Sequence, residues 1–251
     1  MAASVTTVVE QVAKVPGVVA VTLGGSRARG LARSDSDWDF GLYYRGQIDT
    51  NAIRALGFPG TVVEPGEWGR IVNGGAWLQV EDERVDLLYR DLDEVEHWLA
   101  EAAAGRFSVD YVPNHVAALP TYTLMGELAL GTTLRGALPR PSFPLALQQS
   151  APTWWSWQAE FALQNAEGFA ARGEAAIVAG LLARAIVSVA HARLAARGVW
   201  VLNEKTIVKQ AGLDDAAEVL TAVGWTSARL QASVHAVRQT LRLDLAERPS
   251  L

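Results

Sequence analysis

The segment Asp37-Trp38-Asp39-Phe40-Gly41-Leu42 sets carboxylates at alternate positions against large apolar side chains. Successive side chains of an extended chain point to opposite faces. Asp37 and Asp39 therefore share one face, while Trp38, Phe40 and Leu42 share the other and can enter a core. The spacing predicts a strand over Trp38–Tyr44, entered through a turn at Asp35-Ser36-Asp37. Two neighbouring carboxylates repel each other, and such a pair calls for a compensating cation. Hard oxygen donors of this kind suit Mg2+ or Mn2+.

The elements on either side carry related chemistry. Val18-Val19-Ala20-Val21-Thr22-Leu23 is a short, β-branched, apolar run that reads as a buried strand. Gly24-Gly25-Ser26 breaks it and opens a short helix predicted over Arg27–Ala32. Glycines let backbone approach a phosphate closely. N–H groups at a helix start, with the Ser26 hydroxyl, can hold its oxygens. Arg27 and Arg29 lie just beyond and would add positive charge to a triphosphate site. Further on, Val85, Leu87 and Tyr89 alternate with Asp86 and Leu88. A lone acid on such a strand is costly unless it is paired or metal-bound. If this strand neighbours Trp38–Tyr44, three carboxylates converge.

The chain changes character near residue 112. Before it, strands and helices alternate: a helix at Ser4–Lys14, another at Asp49–Leu56, a hairpin of Ala76–Val80 with Arg84–Tyr89, and a helix at Leu92–Ala104 capped by Asp91. After it, the sequence is Ala- and Leu-rich, with helices predicted at Thr153–Ala171, Ala175–Arg197 and Thr226–Leu245. A Pro-rich connector, Leu138–Pro144, separates two of these helical stretches. The expected architecture is an α/β (α+β) domain with a mixed sheet at residues 1–112, followed by an all-α helical bundle at 113–251.

Composition removes several function classes. There is no cysteine, which excludes disulfides, thiol catalysis and thiolate metal sites. The 22 basic residues against 27 acidic ones leave a net charge of −5, opposite in sign to a protein that coats long nucleic acid. Acids that hold a cation offset part of that excess, so net charge is a weak argument against an RNA partner. The start, Met1-Ala-Ala-Ser-Val5, lacks a charged segment before an apolar run, so no signal peptide is expected and the cytoplasm is the expected location. The apolar stretch Ala175–Ala192 is interrupted by Arg184 and reads as a buried helix rather than a membrane span.

Leu23-Gly24-Gly25-Ser26, a ten-residue gap, Asp37-Trp38-Asp39-Phe40 and the later Asp86 together resemble the nucleotidyltransferase superfamily of the DNA polymerase β type. The size and the helical second half also resemble the small bacterial antibiotic nucleotidyltransferases. The resemblance implies transfer of a nucleoside monophosphate from an NTP, ATP first among them, to an acceptor hydroxyl with release of pyrophosphate. It further implies that Asp37 and Asp39 hold two Mg2+ ions, with Mn2+ as a substitute. Asp86 would bind the metal beside the acceptor, and Gly24, Gly25 and Ser26 would cradle the β- and γ-phosphates. The helical half would then select the acceptor.

Other residues read two ways. Lys205 is one of only three lysines, and is either a cation that reaches the triphosphate or a solvated charge in a first helical turn. A separate general base would be Asp86, Glu127 or Glu160. Trp154, Trp155 and Trp157 read as core packing or as a stacking platform, and Glu81-Asp82-Glu83 as a solvated turn or, as the resemblance implies, a hairpin tip near the acceptor where Glu83 would touch a cationic substrate. The four histidines are too scattered to suggest zinc. The leading expectation is nucleotidylation of a small molecule such as an aminoglycoside or lincosamide antibiotic. The alternatives are nucleotidylation of tRNA or a partner protein, and a non-catalytic nucleotide-binding domain.

Overall fold

Four valines of the first helix, Val5, Val8, Val9 and Val12, recur at helical spacing and are all buried against the sheet. They explain why this segment is a helix and where it packs. The structure, a computed structural model, describes residues 3–242. Its contacts divide the chain into two units. One comprises the residues up to Glu101 together with Pro120–Ser142; the other comprises Ala102–Leu119 and the chain from Phe143 onward.

In the first unit, α1 (Ala3–Val12) leads into β1 (Val18–Leu23), α2 (Gly25–Ala28), β2 (Trp38–Tyr44), α3 (Thr50–Arg54), β3 (Gly60–Val62), β4 (Gly75–Val80), β5 (Glu83–Asp91) and α4 (Leu92–Ala103). The six-stranded sheet has the order β3-β4-β5-β2-β1-β8, where β8 is Thr132–Arg135. All its pairings are antiparallel except β2 with β5, so the sheet is mixed. Phe40, Leu42, Val85 and Leu87 are fully buried on one face, as the alternation predicts. Burying each such side chain contributes about 1.5–3 kcal/mol. Asp49 caps α3 by accepting the Ala52 N–H at 3.1 Å, and Asp91 accepts the Asp93 N–H at 3.0 Å at the start of α4.

The return of the chain to this sheet was not apparent from composition. α5 (Thr123–Leu130) and β8 follow residue 112, yet β8 pairs with β1. β8 is a short, exposed edge strand whose Thr132-Thr133 start carries no apolar alternation. β3 escaped notice for the same reason.

β6 (Val109–Asp110) and β7 (Leu119–Pro120) form a two-stranded pair that precedes the long helices of the second unit in the chain. The helices are α6 (Leu145–Ala171), α7 (Ala175–Ala196), α8 (Ile207–Gln210), α9 (Asp214–Glu218) and α10 (Ser227–Leu241), with a 3-10 turn at Val219–Ala222. The part of the expected last helix beyond Arg242 lies outside the described residues. α6 begins eight residues before the expected Thr153 and runs through Pro152. Proline removes one amide bond there, but Leu147, Ala151 and Trp155 form a buried stripe that holds the helix together. α7 is long and apolar enough to cross a membrane, but over half of its apolar stretch is buried within the structure, including Ser188 and His191.

His191 stacks on Trp155, with ring centroids 4.2 Å apart, and its Nε2 lies 3.4 Å from Glu204 Oε1. Glu204 also accepts the backbone N–H groups of Val116, Ala117 and Ala118. Burial holds the His191 imidazole below its usual range, outweighing the attraction of Glu204, and burial lowers His115 as well. A lowered folded-state value means that the unfolded chain takes up more protons below about pH 6.5. Stability is therefore fully present above that pH and falls as the pH drops beneath it. Urea midpoints should decline between pH 7.5 and pH 5.5, and less steeply in His191→Gln. Equal slopes would show that this imidazole does not control the loss.

Candidate active site

β2 and β5 run parallel as direct neighbours, with Asp39 opposite Asp86 in register. Both are half-buried, on the face away from Phe40 and Leu87. The strand order therefore brings together two acids that lie 47 residues apart in sequence. Asp37 precedes β2, and its Oδ1 lies 2.5 Å from Arg84 Nε. Arg84 also donates from NH2 to the Asp35 carbonyl at 2.9 Å.

The glycine turn is fitted to the same carboxylate. Gly24 N–H donates to the Asp39 carbonyl at 2.8 Å. Gly25 has φ +60°, and a Cβ built there would fall 1.7 Å from Asp39 Oδ2. Only glycine tolerates both the left-handed backbone and this approach. The turn that follows β1 is thereby seated on Asp39, and Gly25 opens the single-turn helix that carries Ser26. A cleft of about 490 Å³ opens along this face, lined by Asp37, Arg84, Asp86, Trp77 and Gln79 among others.

Residues 5–99 match the family model of the nucleotidyltransferase domain. That span of the chain is a nucleotidyltransferase domain. The matched span contains every residue of the glycine turn and all three acids. Among solved structures, the chain is similar to a nucleotidyltransferase-like protein from Exiguobacterium sibiricum 255-15, at 14% identity and a TM-score of 0.47, over 96% of this chain and 73% of that one. It is also similar to a spectinomycin adenyltransferase from Enterococcus faecialis solved with ATP and spectinomycin, at 12% identity and a TM-score of 0.38, over 95% of this chain and 97% of that one. No curated protein sequence matches the chain.

The nucleotidyltransferase domain offers carboxylate oxygens, a donor set that fits a hard divalent cation. Among the described residues, however, no three acidic or imidazole groups are gathered closely enough to hold one. Asp39 and Asp86 are side by side, whereas the Asp37 carboxylate is engaged by the Arg84 guanidinium, a cation in its own right. Arg84 shares the parity of Asp86 along β5. That was the sequence signal for it, and it was missed.

Arg27 is placed as a brace. Its guanidinium donates to the backbone carbonyls of Ser36 and Asp37 and lies 4.0 Å over the Trp38 ring. It also stands 3.7 Å from Glu83 Oε2, which accepts Trp38 Nε1–H at 3.0 Å. Glu83, expected to be solvated with its neighbours at a turn, is thus part of the scaffold that fixes the entry to β2. Lys205 belongs to the second unit, where its backbone N–H donates to Asn203 Oδ1. Glu127 is held by Arg90, and Glu160 by Arg238 at 2.7 Å. Trp155 is buried in the second unit, and Arg184 donates to the Tyr111 hydroxyl at 3.1 Å.

Proposed function

We propose that the chain transfers a nucleoside monophosphate from an NTP, ATP first among them, to a hydroxyl of a small molecule such as an aminoglycoside or lincosamide antibiotic. The observation that supports this reading is the in-register pair Asp39 and Asp86, with Gly25 packed on the Asp39 carboxylate. In the reaction the acceptor oxygen bonds to the α-phosphorus. The bond from that phosphorus to the bridging oxygen breaks, and pyrophosphate leaves with the electron pair. Divalent ions, Mg2+ or Mn2+, would be held by Asp39 and Asp86, with Asp37 joining once it leaves Arg84, and would neutralise phosphate charge and acidify the acceptor hydroxyl. Gly25 and Ser26 present backbone and hydroxyl donors to the departing phosphates, while Gly24, whose N–H is held by the Asp39 carbonyl, fixes the turn that carries them. Asp86, on the outer side of the pair, accepts the hydroxyl proton.

A pyrophosphate-release screen tests the reading. It crosses four NTPs with aminoglycosides, lincosamides and tRNA, with Asp39→Asn as the control. Release with a small acceptor, absent in the control, supports the proposal. Labelling of tRNA alone moves the acceptor to a macromolecule. Nucleotide binding with no release against any acceptor makes the domain non-catalytic.

The Arg84 contact adds a prediction. A guanidinium on Asp37 competes with any other cation for that carboxylate. Both side chains are well exposed, so the pair is worth little and its removal shifts binding only modestly. Arg84→Gln should tighten Mn2+ binding by about threefold. The readout is the paramagnetic resonance signal of free Mn2+, and unchanged affinity would show that Arg84 does not compete.

A further inference from the structure

The register that pairs Asp39 with Asp86 continues to β4, where Asp86 is opposite Trp77. Directly opposed residues of neighbouring strands point to the same face. Asp39, Asp86 and Trp77 therefore form one row across the sheet. Ala76, Leu78 and Val80 fill the core on the other face of β4, while Trp77 is 53% exposed. The sheet's packing needs no indole at that position. The ring is nevertheless held, stacked on Trp68 with centroids 4.5 Å apart and planes 28° from parallel. The backbone that carries Trp68 is tied in turn by its main-chain N–H, which donates to the Asn73 carbonyl at 3.1 Å. An aromatic face braced in this way loses little freedom when a ligand lies on it.

The order of the strands says which ligand. The glycine turn follows β1, Asp39 is on β2, Asp86 on β5 and Trp77 on β4, in that spatial sequence. In-line phosphoryl transfer places the attacking oxygen opposite the leaving group. With pyrophosphate departing toward Gly25 and Ser26, the acceptor approaches from the β5–β4 side. We propose that Trp77, backed by Trp68, is the platform on which a cyclic, hydroxyl-bearing small acceptor lays its ring face. The inference rests on the transfer reaction proposed above. C–H faces of a saturated ring and nearby ammonium groups both favour the electron-rich indole. Asp37 and Asp86 line the same cleft with one guanidinium that is already paired, which disfavours anionic acceptors.

The test is ligand-observed saturation-transfer NMR on the full chain with kanamycin and lincomycin as probes. It is combined with the dissociation constant of a non-hydrolysable ATP analogue with Mg2+. The wild type should transfer saturation to ring protons of at least one probe. Trp77→Ala should weaken that binding about tenfold or more, Trp77→Phe should recover most of it, and both should bind the analogue as the wild type does. Equal ring binding in Trp77→Ala overturns the proposal, as does a wild type that binds neither probe. Loss of analogue affinity in Trp77→Ala overturns it in favour of a nucleobase platform. Ring binding by a wild type that releases no pyrophosphate with any NTP supports the platform and overturns the reaction.

Discussion

Asp39→Asn should lower kcat/KM for nucleotidyl transfer by about a thousandfold, close to 4 kcal/mol of lost transition-state stabilisation, while leaving the protein at least as stable as the wild type. The two halves of this expectation have separate causes. Asn keeps the shape of the side chain that packs on Gly25, so the glycine turn stays seated. It removes the charge that faces Asp86 across a parallel strand pair, and like charges in direct opposition are destabilising. The melting temperature therefore holds or rises. Activity falls because a neutral amide is a poor ligand for a divalent cation and cannot balance developing charge around the α-phosphate. Steady-state pyrophosphate release and a thermal melt on the same preparation decide it. Retained turnover would remove Asp39 from the catalytic machinery. A collapsed melt would mean that its role is in folding.

The candidate site was legible because its chemistry is written in local patterns. Alternation placed Asp37 and Asp39 on one face and Trp38, Phe40 and Leu42 on the other, and the buried strand ended where Gly24-Gly25 demanded it. The adjacency of Asp39 and Asp86 was conditional on two distant strands pairing, and register is a property of the folded sheet rather than of either segment. Arg84 on Asp37 and Trp77 beside Asp86 were hidden for the same reason, since each is defined by a cross-strand neighbour. The division of the chain was blurred by β8, whose edge position needs no apolar pattern. The start of α6 lies before the expected Thr153 because tertiary burial of Leu147 and Ala151 carries the helix through Pro152. The histidines looked scattered because His115 and His191 are 76 residues apart, yet both feel Glu204 in the fold.

Arg90→Met should destabilise the protein by about 3 kcal/mol, and Arg90→Met with Glu127→Leu should recover most of that loss. Arg90 lies on β5 opposite Tyr43, and its side chain is only 5% exposed. Its Nε and NH2 donate to the two Glu127 oxygens at 2.6 and 2.7 Å, and its NH1 donates to the Val72 and Tyr89 carbonyls at 2.8 Å each. Burial works against the guanidinium charge, but Glu127 outweighs it and holds Arg90 above its ordinary value. The fork geometry satisfies both partners, so removing one strands the other. Glu127 would keep its charge with three-quarters of its side chain out of solvent, and two backbone carbonyls would lose a donor. Replacing both partners removes the stranded charge and leaves apolar volume in its place, which is why the double variant recovers. Urea unfolding of the three proteins at pH 7 gives the comparison. A single variant as stable as the wild type would show that the pair contributes nothing net. A double variant no better than the single one would locate the loss in the backbone carbonyls rather than in Glu127. Glu127 is committed to this fork at the return of α5 to the sheet unit, which favours Asp86, in the row with Asp39 and Trp77, as the proton acceptor of the proposed transfer.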